Sequence, residues 1–304
     1  MMRETVAYLV GGDNWVPCFV SVYSLLDNNP DTTFRVVIFT EEDRSNRFFA
    51  NVDLLEDIHD DFTVEYVNIP LERFDALPEE PEENAIFPKA MYAKLLIPEL
   101  FPAPPEQFIY LDADTLILNN LTDLFERSLS DVTVAAAPDV KNRICGLGVD
   151  LNKQYFNAGV MYVNLDRWLE TEVTPTCLDF IERRKPSYMD QTALNAVLHR
   201  RDDVEIISPK YNLIRSWEEN ADENIEVSFD WDDTGIIHYA GVPKPWHYRA
   251  DGEIFDHWLS YCDKTPFGDF YPQHRNPKFV EYTEKALEPF PRLHAMAECM
   301  YQIL

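Results

Sequence analysis

The sequence predicts an α/β fold: a Rossmann-like, mostly parallel mixed sheet with helices on its faces. Three observations predict it. Short apolar runs recur through the first half of the chain, at "TVAYLV", "FRVVIFT" and "FIYL". Stretches with helical spacing separate them, so successive strands are joined by crossovers and run parallel. With 304 residues and 46% apolar content, the chain suffices for one large domain or two modest ones.

Each element has its own justification. "TVAYLV" is a strand ending at Gly11 and Gly12. "WVPCFVSVYSLLDNN" has helical spacing and stops at Asn28, Asn29 and Pro30. "FRVVIFT" is the next strand. "EEDRSNRFFANVDLLEDI" reads as a helix whose acidic first turn suits its macrodipole. "FTVEYVNI" alternates with period two. Residues 78 to 84, "PEEPEEN", form an exposed acidic loop. "PKAMYAKLLIPELF" is helical, "FIYL" a buried strand, "LTDLFERSL" a short helix and "DVTVAAAP" a strand. "YFNAGVMYVNLDRW" is a strand running into a helix. "SYMDQTALNAVLHR" is a helix starting near Asp190. "TGIIHYAGVPKPWH" is a strand followed by a proline-stiffened turn. From about Asn276 the pattern is helical and apolar, which suits a segment packed on the main domain.

Composition narrows the function classes. Acidic residues exceed basic ones by 28, which argues against non-specific binding of nucleic acid or anionic lipid. Only 10 of the 26 basic residues are lysines, a composition similar to that of proteins from salt-loving organisms, where salt screens self-repulsion. The five cysteines are widely spaced and lack a C-x-x-C pair, so buried thiols are expected in place of disulfides or a zinc site. No apolar run approaches a membrane span, and the N-terminus reads as a strand, not a signal peptide. A cytoplasmic location without stable membrane insertion is the expectation. The sequence leaves the oligomeric state open.

Two acidic residues, Asp112 and Asp114, follow directly on the strand "FIYL". Residues two apart in extended chain point the same way, and two like charges so placed call for a cation. Carboxylate oxygens suit magnesium, calcium or manganese. A helix-loop-helix calcium loop fails, because Ile117 stands where glycine is needed and Asp123 where glutamate is needed. A haloacid-dehalogenase-like phosphatase fits "DADTL" less well, with Leu116 at the position that wants threonine or valine. The D-x-D pair of nucleotide-sugar glycosyltransferases is the third reading. A second cluster favours it. His238 ends the apolar strand "GIIHY", Gly241 permits close backbone approach to a phosphate, and Lys244 adds an ammonium.

With both clusters in view, the sequence resembles glycosyltransferase family 8, the family of glycogenin, galactinol synthase and bacterial lipopolysaccharide galactosyltransferases. The resemblance runs from about Val6 to Trp246 through "VGGDNW", "MYAKLLIPELF", "YLDADTLILNNLTDLF", "YFNAGVMYVNLDRW", "MDQTALN" and "HYAGVPKPW", in that order. It implies a GT-A fold over residues 1–250, with 251–304 as a helical extension packed on it. It implies a retaining hexosyltransferase that moves glucose or galactose from a UDP-sugar to a hydroxyl acceptor: a saccharide, glycolipid or polyol. It implies manganese as cofactor, with magnesium as the alternative.

The site residues follow by motif. Asp112, Asp114 and His238 resemble the metal ligands. Gly241 and Lys244 resemble the diphosphate contacts, and Lys94 and Ala113 lie in donor-facing motifs. Val10, Gly11, Asp13 and Asn14 would meet base and ribose, with Trp15 beside uracil. Gly12 departs from the pattern, standing where relatives commonly have a polar residue at the uracil edge. Asn157, Asp190 and Gln191 match the sugar and reaction face. Asp190, Gln191 and Lys244 are the implied catalytic group. A catalytically inactive glycosyltransferase-like binding domain remains the non-enzymatic alternative.

Overall fold

The structure is a computed structural model, and it describes residues 3–11, 14–40, 51–70, 92–141, 143–144, 147–150, 152–186, 188–214, 230–241, 244–246 and 252–268. Its centre is a seven-stranded sheet. The chain enters through β1 (Glu4–Val10), helix α1 (Trp15–Asp27), β2 (Phe34–Thr40), the short helix α2 (Asp53–Glu56) and β3 (Phe62–Asn68). Helix α3 (Ala93–Leu100) leads into β4 (Gln107–Asp112), β5 (Thr115–Ile117), helix α4 (Thr122–Phe125) and β6 (Val134–Pro138). Then come β7 (Phe156–Asn164), helices α5 (Leu165–Glu170), α6 (Val173–Arg184) and α7 (Met189–Arg200), and β8 (Val204–Ile206). A 3-10 turn (Pro209–Tyr211), β9 (Leu213–Ile214), β10 (Ile236–His238) and helix α8 (Glu253–Cys262) complete the described elements.

The large sheet runs β3-β2-β1-β4-β7-β6-β8. β3, β2, β1 and β4 are mutually parallel, β7 runs against both β4 and β6, and β8 is parallel to β6. This is the mostly parallel sheet flanked by helices that the sequence predicts. Every residue of β2 is buried, as the unbroken apolar run "FRVVIFT" requires of a strand covered on both faces. β3 is half-exposed along its length, as an edge strand with alternating sequence should be. The core packs aromatic rings edge to face, Phe101 meeting Phe39 at 5.1 Å and Phe108 at 4.9 Å.

A second, three-stranded sheet, β5-β10-β9, was not expected. Strands of two and three residues are too short to show a period, and β5 pairs with a strand far along the chain. Helix α1 holds this sheet with polar groups. Ser24 Oγ accepts from the Ile117 amide at 3.0 Å, and Asn28 donates to the Ile117 carbonyl at 3.1 Å. The predicted helix from Glu41 lies mostly outside the described residues, which include only its last part as α2. The acidic loop 78–84 and the segment from Asn276 also lie outside them.

The chain divides into two compact units, Met1–Ala240 and Gly241–Leu304. In the second, Trp246 packs against Trp258 of α8 with ring centroids 5.1 Å apart. Cys18, Cys177 and Cys262 are buried free thiols, and burial pushes Cys262 up to about 12. Among the described residues, no helix is long and apolar enough to cross a membrane.

Candidate active site

The two sheets meet at one short stretch of chain. Asp112 ends β4, and its register partner on β1 is Leu9, so the end of β1 at Val10, and Gly11 after it, lie beside it. Ala113, buried, and Asp114 then turn the chain into β5. β5 runs antiparallel to β10, with Thr115 opposite His238, and the Tyr239 amide donates to the Asp114 carbonyl at 3.0 Å. The pairing of β5 with β10 therefore brings His238 to the two aspartates across more than a hundred residues of sequence. The carboxyl ends of parallel strands are where open α/β sheets bind ligands.

His238 Nε2 lies 3.4 Å from Asp114 Oδ1 and 3.6 Å from Asp112 Oδ2, and one ligand atom from each residue falls within 4.8 Å of the others. Two carboxylate oxygens and an imidazole nitrogen are a donor set for a divalent cation. Gly159 of β7 makes the cluster sterically feasible. A Cβ there would collide with the His238 ring and sit 2.7 Å from Asp112 Oδ2.

A buried ammonium braces the aspartates. Lys94 Nζ donates to the Ala158 carbonyl at 3.1 Å and lies 3.1 Å from Asp112 Oδ1 and 3.6 Å from Asp190 Oδ2. Burial alone would lower the Lys94 pKa, but Asp112 and Asp190 outweigh it and raise it. Burial pushes the Asp190 carboxyl above its ordinary range, with Lys94 opposing. Tyr110 donates its hydroxyl to Asp112 Oδ1 at 2.7 Å, and burial holds that phenol well above its usual pKa.

Behind this tier lies a layer of amides. Asp139, paired with Arg143 at 2.9 Å, accepts from Asn157 Nδ2 at 3.1 Å and from Gln191 Nε2 at 3.0 Å. Gln191 Oε1 accepts the Ala158 amide at 3.0 Å, so its side chain is held at both ends. Asn212 spans from Asn157 to His238, at 3.0 Å to each. Helix α7 carries Asp190 and Gln191 in its first turn, which begins at Met189 with the strained, positive φ of 26°.

Of the residues proposed from sequence, Asp112, Asp114, His238, Lys94, Asn157, Asp190 and Gln191 converge here. Val10 ends β1, Gly11 accepts the Asn14 amide at 3.3 Å, and Trp15 opens α1 with its ring 6.4 Å from Tyr66. Gly12 and Asp13 lie outside the described residues. Gly241, with a positive φ of 74°, and Lys244 belong to the second unit. Sequence reasoning missed Tyr110, Asp139, Gly159 and Asn212. Tyr110 and Gly159 fall inside the quoted motifs "YLDADTLILNNLTDLF" and "YFNAGVMYVNLDRW", while Asp139 and Asn212 carry no such signal, and all four acquire their roles through tertiary contact.

The model of glycosyl transferase family 8 matches residues 5–250. A lipopolysaccharide 1,2-glucosyltransferase of Escherichia coli is 30% identical over 302 residues, covering 93% of this chain and 85% of that protein. A lipopolysaccharide 1,3-galactosyltransferase of Salmonella typhimurium is 22% identical over 280 residues, covering 87% and 79%. The solved galactosyltransferase LgtC, in complex with donor and acceptor sugar analogs, superposes with a TM-score of 0.72 at 21% identity, covering 86% of this chain and 96% of that one. The fold is thus the GT-A fold. A family match spanning most of its length, together with a relative at 30% identity, establishes that the chain belongs to glycosyl transferase family 8.

Proposed function

We propose that this glycosyltransferase is a retaining, metal-dependent enzyme that moves glucose or galactose from a UDP-sugar to a hydroxyl acceptor. The observation that carries the reading is the convergence of Asp112, Asp114 and His238 at the carboxyl edge of the sheet in a family 8 chain. Membership of a glycosyltransferase family removes the phosphatase alternative.

A divalent cation held by these three residues would neutralise charge growing on the leaving diphosphate. Lys244 and the backbone at Gly241 keep the role the resemblance implies, diphosphate contact. Lys94 is the internal counter-charge of Asp112 and Asp190, since three acceptors already surround its ammonium. The transition state has oxocarbenium character, as in glycoside hydrolysis. Gln191 faces it as an amide fixed between Ala158 and Asp139. An amide is a poor nucleophile, and the carboxylate beside it, Asp190, is buried against Lys94. We therefore favour attack from the leaving-group face, with the departing phosphate accepting the acceptor's proton and Gln191 stabilising the cationic carbon.

The named relatives act on lipopolysaccharide, which makes a glycolipid or saccharide acceptor the first to try. A panel of UDP-sugars with and without manganese, at low and high salt, tests the reading. Metal-dependent release of UDP from a UDP-hexose is expected. Its absence with every donor would leave the inactive, binding-only alternative.

A further inference from the structure

The amide layer behind the carboxylates has a direction. A backbone N–H can only donate and a carboxylate can only accept, and this sets the orientation of each amide in turn. The Gly159 amide donates to Asn157 Oδ1 at 2.9 Å, which identifies that atom as the oxygen. The other end of Asn157 faces Asp139 Oδ2, a carboxylate paired with Arg143, and so must be the donating nitrogen. Asn157 is thus oriented by two independent neighbours. The same oxygen lies 3.0 Å from the Asn212 amide group, which must donate to it through Nδ2. That leaves Asn212 Oδ1 to face His238 Nδ1, also at 3.0 Å. An oxygen with no proton accepts, so the proton of a neutral His238 is on Nδ1.

We propose that the chain Asp139–Asn157–Asn212 fixes His238 in its Nδ1-protonated tautomer, so that an unprotonated Nε2 faces Asp112 and Asp114, and that Asn212 is the positioning residue of this ligand. The consequence is chemical. An unprotonated Nε2 cannot donate to the carboxylates 3.4 and 3.6 Å away, so the three atoms form a set of acceptors turned on one another. In this tautomer Nε2 is the nitrogen offered toward the carboxylates, so a cation there would need no turn of the ring. All the groups in the relay are buried or half-buried, and Asn212 is fully buried, so water does not compete for the hydrogen bonds that carry the orientation. The proposal rests on the metal reading given above for its purpose, but the tautomer is a property of the metal-free chain.

That separation gives the test. Long-range proton–nitrogen correlation spectra of the metal-free, full-length protein, recorded at rising pH until the ring carries a single proton, report the His238 tautomer. The resonance is assigned by its loss in His238→Gln. An Nδ1-protonated ring in the wild type is expected, and an Nε2-protonated ring would overturn the relay. Asn212→Leu, which removes the acceptor, should release the ring to a mixture and weaken manganese binding by about 10 to 100-fold in direct titration. A ring and an affinity unchanged in Asn212→Leu would contradict the proposal. If the wild type bound no manganese, the metal reading would fail, and the relay would still be decided by the wild-type tautomer.

Discussion

Lys94 stands between Asp112 and Asp190, its ammonium 3.1 Å from one carboxylate and 3.6 Å from the other. It joins the end of strand β4 to the first turn of helix α7, the element that carries Gln191. The cation is almost fully buried, so both partners depend on it for compensation. Replacing it with methionine keeps the volume and leaves Asp190 buried beside no cation. Lys94→Met should destabilise the metal-free protein by about 3 kcal/mol or more, read from urea denaturation. An unchanged midpoint would mean that the carboxylates are satisfied without it.

Gly159 is predicted to be irreplaceable for a steric reason. Its backbone is ordinary strand, so alanine is tolerated locally, but the new Cβ would occupy space used by the His238 ring and crowd Asp112. Gly159→Ala should lower manganese affinity at least about tenfold, in the range seen when groups supporting a ligand are lost. Full affinity in this variant would show that the His238 ring sits elsewhere.

His199 gives a pH dependence away from the site. It is buried on α7, its Nε2 meeting the Gln154 carbonyl at 2.9 Å, and burial holds its pKa below the ordinary value. The unfolded chain therefore takes up the proton first as pH falls. The stability associated with a neutral His199 is complete above about pH 6.5 and declines below it toward the folded pKa. Denaturation midpoints of wild type and His199→Gln, measured from pH 8 down to 5.5, should converge as pH falls. A constant gap between them would contradict the assignment.

Lys244 is expected to act on the leaving group. Lys244→Ala should lower kcat for donor hydrolysis by about 100-fold with the preference among UDP-sugars unchanged. A change confined to KM would point to ground-state binding alone.

Much of this was legible in sequence because the relevant signals are local. "FIYL" before Asp112 and "GIIHY" around His238 are apolar runs beside the residues proposed as ligands, and a strand end is where a parallel sheet puts its chemistry. The helix bearing Asp190 begins at Met189, close to where its pattern places it. What stayed hidden is tertiary. β5 and β9 have three and two residues, too few to show alternation, so the small sheet that joins Asp114 to His238 had no signature. Asn212 sits in "PKYNLI" and reads as a turn residue, Gly159 reads as a small residue in a strand, and Asp139 as a strand-end acid. Lys94 lies on a helix as expected, but its side chain runs inward to carboxylates, which helical spacing alone does not reveal.

On the proposed reading, Asp112, Asp114 and His238 hold the metal through which this family 8 chain uses a UDP-sugar. The most direct measurement is manganese-dependent release of UDP from UDP-glucose and UDP-galactose by wild type, Asp112→Ala and Asp114→Ala, with manganese binding titrated in parallel. The expectation is turnover and binding in the wild type and loss of both in each variant. Undiminished metal-dependent turnover in either variant would contradict it.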